Sequence, residues 1–305
     1  KSLLHFKNSL GKNDDAISFF AATIFLVHPI QTESVIYIIS RSEVLASTFY
    51  LLGFLLFQTC LELHNRHSLL KNLILPLVIL FLIVVGFSVK QTLATFPLII
   101  FLYYISVCPL DSPVIKFILN WKWQILTAVL IFLSLLLYKL LSDETFLIGP
   151  SRPDEMVGRE KFMLSQPAVV IFYYLKKILF PINLNVDPDV EVVTLLLSFS
   201  FIASIMMIAF IAYYLWNQEA WRFYIFFLSW FLIILSPSSS IVTLHDLAAE
   251  HRVYLALPGV IFILSYGLFD ILKNQKSGIL ILCVLTLFLG ALNICLLYTS
   301  PSPRD

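Results

Sequence analysis

Residues 69–87 read LLKNLILPLVILFLIVVGF, a stretch in which only Lys71 and Asn72 interrupt apolar side chains. A helix rises 1.5 Å per residue, so roughly 20 such residues cross the hydrocarbon core of a bilayer. Comparable runs recur at 16–31, 44–60, 72–88, 92–108, 123–142, 193–215, 221–236, 253–272 and 277–298. Nine transmembrane helices are therefore expected, with the shorter ones tilted or extended into their polar flanks. Composition agrees: 59% of residues are hydrophobic and 13% charged, about half the charged share of a soluble domain. The runs are continuous rather than alternating, which excludes a transmembrane β-barrel. The expected class is an all-α polytopic membrane protein.

One apolar segment differs. SQPAVVIFYYLKKILFPINL carries Lys176 and Lys177 and stops at Pro181. Ser165 suits an N-cap with proline in the first turn, and a helix over about 166–181 is expected to lie in the interface without crossing. Alternating the nine spans from a cytoplasmic 1–15 leaves Lys7, Lys12, Arg66, Lys71, Lys116 and Lys122 inside, as the positive-inside bias requires. Residues 1–298 are read as one partial transmembrane domain. The last seven residues, TSPSPRD, are read as a non-native tail (299–305), and the chain as the middle of a longer protein.

Several chemistries are excluded or lack a signal. A net charge of +1 offers no basic face for a nucleic acid. Cys60, Cys108, Cys283 and Cys295 form neither a CxxC pair nor a Cys/His metal spacing, and suit apolar filler. No GxGxxG or P-loop is present, so soluble nucleotide chemistry has no motif.

What an anchor would not need is the set of polar groups that alternation sends to the outer face. HPIQTESVIYIISRSE (28–43) places His28, Glu33, Arg41 and Glu43 between two spans. Proline forces the residue before it out of helical geometry, so His28-Pro29 ends the first helix. Ser40-x-x-Glu43 has the form of a capping box for the next. Helix termination leaves Glu33 and Arg41 unexplained. A charge at bilayer depth costs about 2.5–3.5 kcal/mol on insertion scales, and such groups are kept when they line a wet cavity or bind something. SVKQTLATFP sets Lys90 and Gln91 at a hairpin tip, where a snorkelling lysine is an equal alternative. NLNVDPDVEV supplies Asp187 and Asp189, either solvated turn acids or weak candidates for a divalent cation. SPSSSIVTLHDLAAEHRVYLALPG is the densest node, with His245, Asp246, Glu250, His251 and Arg252. In a helix Asp246 and Glu250 would stack at i, i+4. The expected site is an outward-facing charged cavity. Arg41, Lys90 and Arg252 would hold a phosphate; His28, Glu33, Glu43, Gln91, Asp246, Glu250 and His251 would shape the pocket.

Three of these stretches carry a resemblance. HPIQTESVIYIISRSEVLASTFYLLGFLLF, SQPAVVIFYYLKKILFPINLNVDPDV and PSSSIVTLHDLAAEHRVYLALPG occur in an order and spacing similar to the membrane portion of the transmembrane and tetratricopeptide-repeat O-mannosyltransferase-like proteins. These are glycosyltransferases of the GT-C fold, and their bacterial and archaeal members look closest. The resemblance covers about residues 16–272. It implies transfer of a sugar, typically mannose, from a polyprenyl-phosphate donor to a protein or glycan hydroxyl outside the cytoplasmic membrane. It implies lipid and lipid-linked donor as partners, with a divalent cation as an optional cofactor. The family's catalytic acid, in the first outer loop, is expected before residue 1, and tetratricopeptide repeats after the membrane part. Lys90-Gln91 departs from the Lys-Glu common at that hairpin, which weakens an acid role there.

Two other classes compete. A secondary transporter also keeps ionisable groups in the membrane, near the midplane and with internal repeats; here the charges gather at one face and no repeat is evident. A non-catalytic scaffold could use the same fold.

Overall fold

The computed structural model describes residues 14–38, 40–62, 74–107, 159–185, 188–195, 198–241, 246–272 and 275–299. The expected span 123–142, Asp187, His245 and residues 300–305 of the tail lie outside these. All regular structure among the described residues is helical. The principal helices are α1 (Asp14–Val27), α2 (Thr32–Ile36), α3 (Arg41–Glu62), α4 (Leu75–Val89) and α5 (Phe96–Val107). After them come α6 (Arg159–Ala168), α7 (Lys176–Leu179), α8 (Phe199–Trp216), α9 (Trp221–Ser236), α10 (Leu257–Leu272) and α11 (Gln275–Thr299). Among the described residues, five helices are long and apolar enough to cross a membrane, or six if the bent pair α1–α2 is one span. The chain is thus an all-α membrane-embedded protein. Nine full spans are not what the described residues display: α4, α5 and α10 are apolar but short.

Proline sets the first break. His28 is extended (φ −68°, ψ 126°), Pro29–Gln31 form a 3₁₀ turn, and the chain bends by 51° into α2. A bend inside apolar surroundings frees backbone carbonyls that must find donors. Asn293, an amide within the long apolar α11, supplies one: its Nδ2 donates to Val27 O at 3.3 Å, while its Oδ1 accepts from Thr32 Oγ1 at 3.1 Å. One polar side chain therefore closes the break and ties the last helix to the first.

The core between α3, α5 and α9 is aromatic. Tyr50, Phe54, Phe96, Tyr103, Phe226 and Trp230 pack edge to face with centroids mostly 5–6 Å apart, the arrangement ring quadrupoles favour. Their polar atoms are paired: Tyr50 Oη with Thr95 Oγ1 at 3.2 Å, Gln58 Nε2 to Tyr103 Oη at 3.2 Å, Trp230 Nε1 to Leu255 O at 2.9 Å. Glycine permits the closest approach of α9 and α10. A Cβ on Gly259 would stand 2.6 Å from Phe227 O.

The segment expected to be interfacial begins earlier than its sequence suggests. Ser165 is not an N-cap but sits within α6, donating to Lys161 O at 2.7 Å and accepting from Val193 N at 2.8 Å. A serine bonding back to the i−4 carbonyl lets the helix run through it. Pro167 then lies inside the helix, and a π-helical stretch, Val169–Leu175, follows before α7. The rod is long and apolar enough over Lys161–Leu179 to cross a membrane. Its polar contacts with other elements among the described residues, however, go to connecting segments: Gln166 Nε2 donates to Leu247 O at 3.1 Å, Tyr174 Oη accepts from Ala249 N at 3.1 Å, and Ile178 O accepts from His28 Nε2 at 2.9 Å. Ser165 and Ile178 are roughly 20 Å apart along a helix axis, so the rod runs alongside the connections over that length.

Candidate functional site

The site is built where the α1–α2 break, the α4–α5 hairpin tip and the turn before α10 meet. Residues 246–249 are not helical, since Ala249 is extended (φ −153°, ψ 130°), and a 3₁₀ turn begins only at Glu250. The i, i+4 stacking of Asp246 on Glu250 therefore does not form. The tight turn instead presents Glu250, His251 and Arg252 in succession, about 120° apart.

Glu33 joins two of the three segments. Its Oε1 meets His251 Nδ1 at 2.6 Å and its Oε2 accepts the His251 backbone N–H at 2.9 Å. Ser34 Oγ donates to His251 O at 3.4 Å. Lys90 Nζ pairs with Glu43 Oε1, so Glu43 is engaged across to the hairpin instead of closing the expected capping box; backbone Glu43 N meets Ser40 O. Lys90 also feels the charges of Arg252 and Glu33. Burial and the like charge of Arg252 push its ammonium down to about 8, partly opposed by Glu33.

Arg252 is 6% exposed. Its Nη2 donates to Asp246 O at 2.9 Å and the guanidinium lies beside the Tyr174 hydroxyl, but Nη1 is buried without a partner. A buried unpaired donor on a cation is costly and marks a place for an acceptor, above all an anion. Glu250, 3% exposed, is held through one oxygen: Oε1 accepts from Tyr173 Oη at 2.8 Å and from Asn185 N at 3.0 Å. The π stretch makes this possible. Its wider turn brings successive side chains closer in angle, so Tyr173 and Tyr174 both reach the 249–252 turn.

Arg41 lies on the exposed face of α3, and Gln91 and Asp189 are exposed. His28 is buried and structural in its contacts, accepting Ile30 N on Nδ1 at 3.2 Å. Gln31 went unnoticed in the sequence: both its amide atoms are buried without partners, in a turn that packs on Glu250–Val253. No group of three or more His, Cys, Asp or Glu able to hold a metal occurs among the described residues.

Beside His28 an apolar crevice of about 310 Å³ opens between α1, α10 and α11, lined by Ile24, Ile178, Ile261, Leu268, Leu282 and Leu289 among others. Ser265, also on its wall, has a buried hydroxyl without a partner. Comparison with models of known families, with characterised proteins and with solved structures finds no match.

Proposed function

We propose that the chain is the membrane portion of a glycosyltransferase. It moves a sugar such as mannose from a polyprenyl-phosphate donor to a hydroxyl of a protein or glycan on the extracytoplasmic side. The observation that carries the proposal is the buried, unpartnered Nη1 of Arg252 with Lys90 in its electrostatic neighbourhood. A phosphodiester supplies the acceptor that this donor lacks, and its single negative charge meets the guanidinium. As the sugar leaves, charge builds on the lipid phosphate, and fixed donors in a site of low dielectric then bind it more strongly. The apolar crevice beside His28 suits the lipid chain.

In this proposal the fold is a GT-C-like bundle whose rod 159–179 lies along the outer surface. The Glu33–His251 contact puts the α1–α2 break and the 246–252 turn at one end of the bundle. If α3, α4, α5, α8 and α9 each cross, one further crossing is needed between residues 36 and 246.

The test is transfer from a radiolabelled polyprenyl-phosphate sugar by the full-length protein in membranes, with Arg252→Ala beside it. Loss of one charge-assisted contact, worth about 1.5–3 kcal/mol, lowers transfer roughly 10- to 150-fold. Undiminished transfer by the mutant removes Arg252 from the reaction.

A further inference from the structure

The rod, α8 and the end of α9 enclose a second pocket, of about 210 Å³. Gln166 stands on its wall from the rod, Ile208 from α8, and Ser239 from the π-helical turn Pro237–Ile241 that follows α9. Two of its polar groups are unfinished. Gln166 is 2% exposed, and its Nε2 donates to Leu247 O at 3.1 Å. That bond identifies the other end of the amide as Oε1, which can only accept, and Oε1 is buried without a donor among the described residues. Ser239 is 4% exposed, and its hydroxyl is likewise buried without a partner. Its neighbours are occupied: Ser236 Oγ donates to Ile233 O at 2.8 Å and Ser238 Oγ to Leu235 O at 3.2 Å.

Water answers this need poorly. A space of this size holds several waters, each wanting about two to four polar partners, while Met163, Val170, Leu232 and Leu235 make much of the wall apolar. An anion would find no cation, since no charged side chain lines the pocket among the described residues. The occupant that fits is neutral, brings an O–H to Gln166 Oε1 and an acceptor oxygen to Ser239 Oγ, and has an apolar body. Its approach is from the bilayer: Met163 is exposed, and on α8 the apolar Ile205, Met206 and Met207 beside Ile208 are exposed as well. An apolar cavity of roughly 150 Å³ takes a benzene ring, so this one takes a glycerol backbone with the first carbons of its esters.

We infer that the pocket binds the head of a neutral glycerolipid with a free hydroxyl, a diacylglycerol. The lipid hydroxyl donates to Gln166 Oε1, and an ester carbonyl accepts from Ser239 Oγ. The inference stands apart from the transferase reading, because it needs neither sugar nor phosphate and makes no use of Arg252 or Lys90.

The experiment places the full-length protein in phosphatidylcholine nanodiscs doped with dioleoylglycerol and reads the retained lipid by native mass spectrometry. The same lipid with its hydroxyl acetylated has no donor for Gln166 Oε1 and should be retained about 2- to 13-fold less, the worth of one neutral hydrogen bond. Ser239→Ala should lower dioleoylglycerol retention over the same range. Because Ser239 Oγ has no protein partner, this change breaks no hydrogen bond of the fold, and the thermal unfolding midpoint of the lipid-free protein in detergent should not fall. Ile208→Trp fills the pocket and should abolish retention, with polyprenyl phosphate still bound. Equal retention of the acetylated lipid, or full retention in Ser239→Ala or Ile208→Trp, overturns the inference. Dioleoyl phosphatidic acid retained better than dioleoylglycerol, and lost in Ile208→Trp, would put an anion in this pocket and overturn it as well.

Discussion

Removing the Glu33–His251 contact should loosen the junction on which the whole site is built. Glu33 accepts two charge-assisted bonds, at 2.6 and 2.9 Å, and its side chain is 7% exposed. Each such bond is worth about 1.5–3 kcal/mol. Glu33→Gln keeps one acceptor oxygen and turns an N–H₂ toward the other donor, so a loss of about 2–4 kcal/mol is expected. His251→Phe removes only the Nδ1 partner and leaves the backbone N–H in place, so about 1.5–3 kcal/mol is expected. The two changes act on one shared bond, and the double mutant should be less destabilised than their sum by about 1–2 kcal/mol. Unfolding of the full-length protein in mixed detergent micelles, followed through buried Trp230, gives the four free energies. Additivity within about 0.5 kcal/mol would refute the direct coupling of the α1–α2 break to the 250–253 turn.

Three further outcomes are expected. Gly259→Ala places a methyl against Phe227 O and should lower stability by about 1–3 kcal/mol in the same assay, whereas Gly290→Ala, which meets nothing within 4 Å, should not. Asn293→Leu leaves Val27 O and Thr32 Oγ1 without partners and should cost about 1–2 kcal/mol, while Asn293→Gln restores part of it. Lys90, with its ammonium lowered to about 8 by burial and Arg252, is charged below that pH and neutral above it; affinity for polyprenyl phosphate should therefore weaken as pH rises through about 8, and Lys90→Arg should hold its affinity to higher pH.

Much of the helical plan was legible because apolar runs and prolines are local signals. His28-Pro29 marks a real break, and a helix occupies most of each expected run that falls in described residues, although the run 193–215 becomes helical only at Phe199 and the run 253–272 becomes α-helical only at Leu257. Span count was less legible: a run such as 92–108 opens with a 3₁₀ turn over Gln91–Thr95, so its α-helix is only Phe96–Val107. Alternation of helices gave a reason to look at one end of the bundle, where Glu33, Lys90 and the 250–252 turn lie. Which side chains point inward was not legible. Arg41 and Glu43 are two residues apart on α3, about 200° around its axis, so they face different ways, and it is Glu43 that is buried. Tyr173, Tyr174 and Gln31 gave no sequence signal, since tyrosine and a lone glutamine are ordinary near a membrane surface and the π stretch that aims both tyrosines has no local code. Asn293 could have been found, as the one amide in the apolar run 277–298.

The most direct measurement is binding of polyprenyl phosphate against the uncharged polyprenol of equal chain length, with the full-length protein in nanodiscs. Phosphate should bind roughly 10- to 150-fold tighter, the worth of one charge-assisted bond at Arg252 Nη1, and Arg252→Leu should erase the difference. Equal affinity for the two lipids, or a preference for phosphate that survives Arg252→Leu, would contradict an anion site at the end of this bundle.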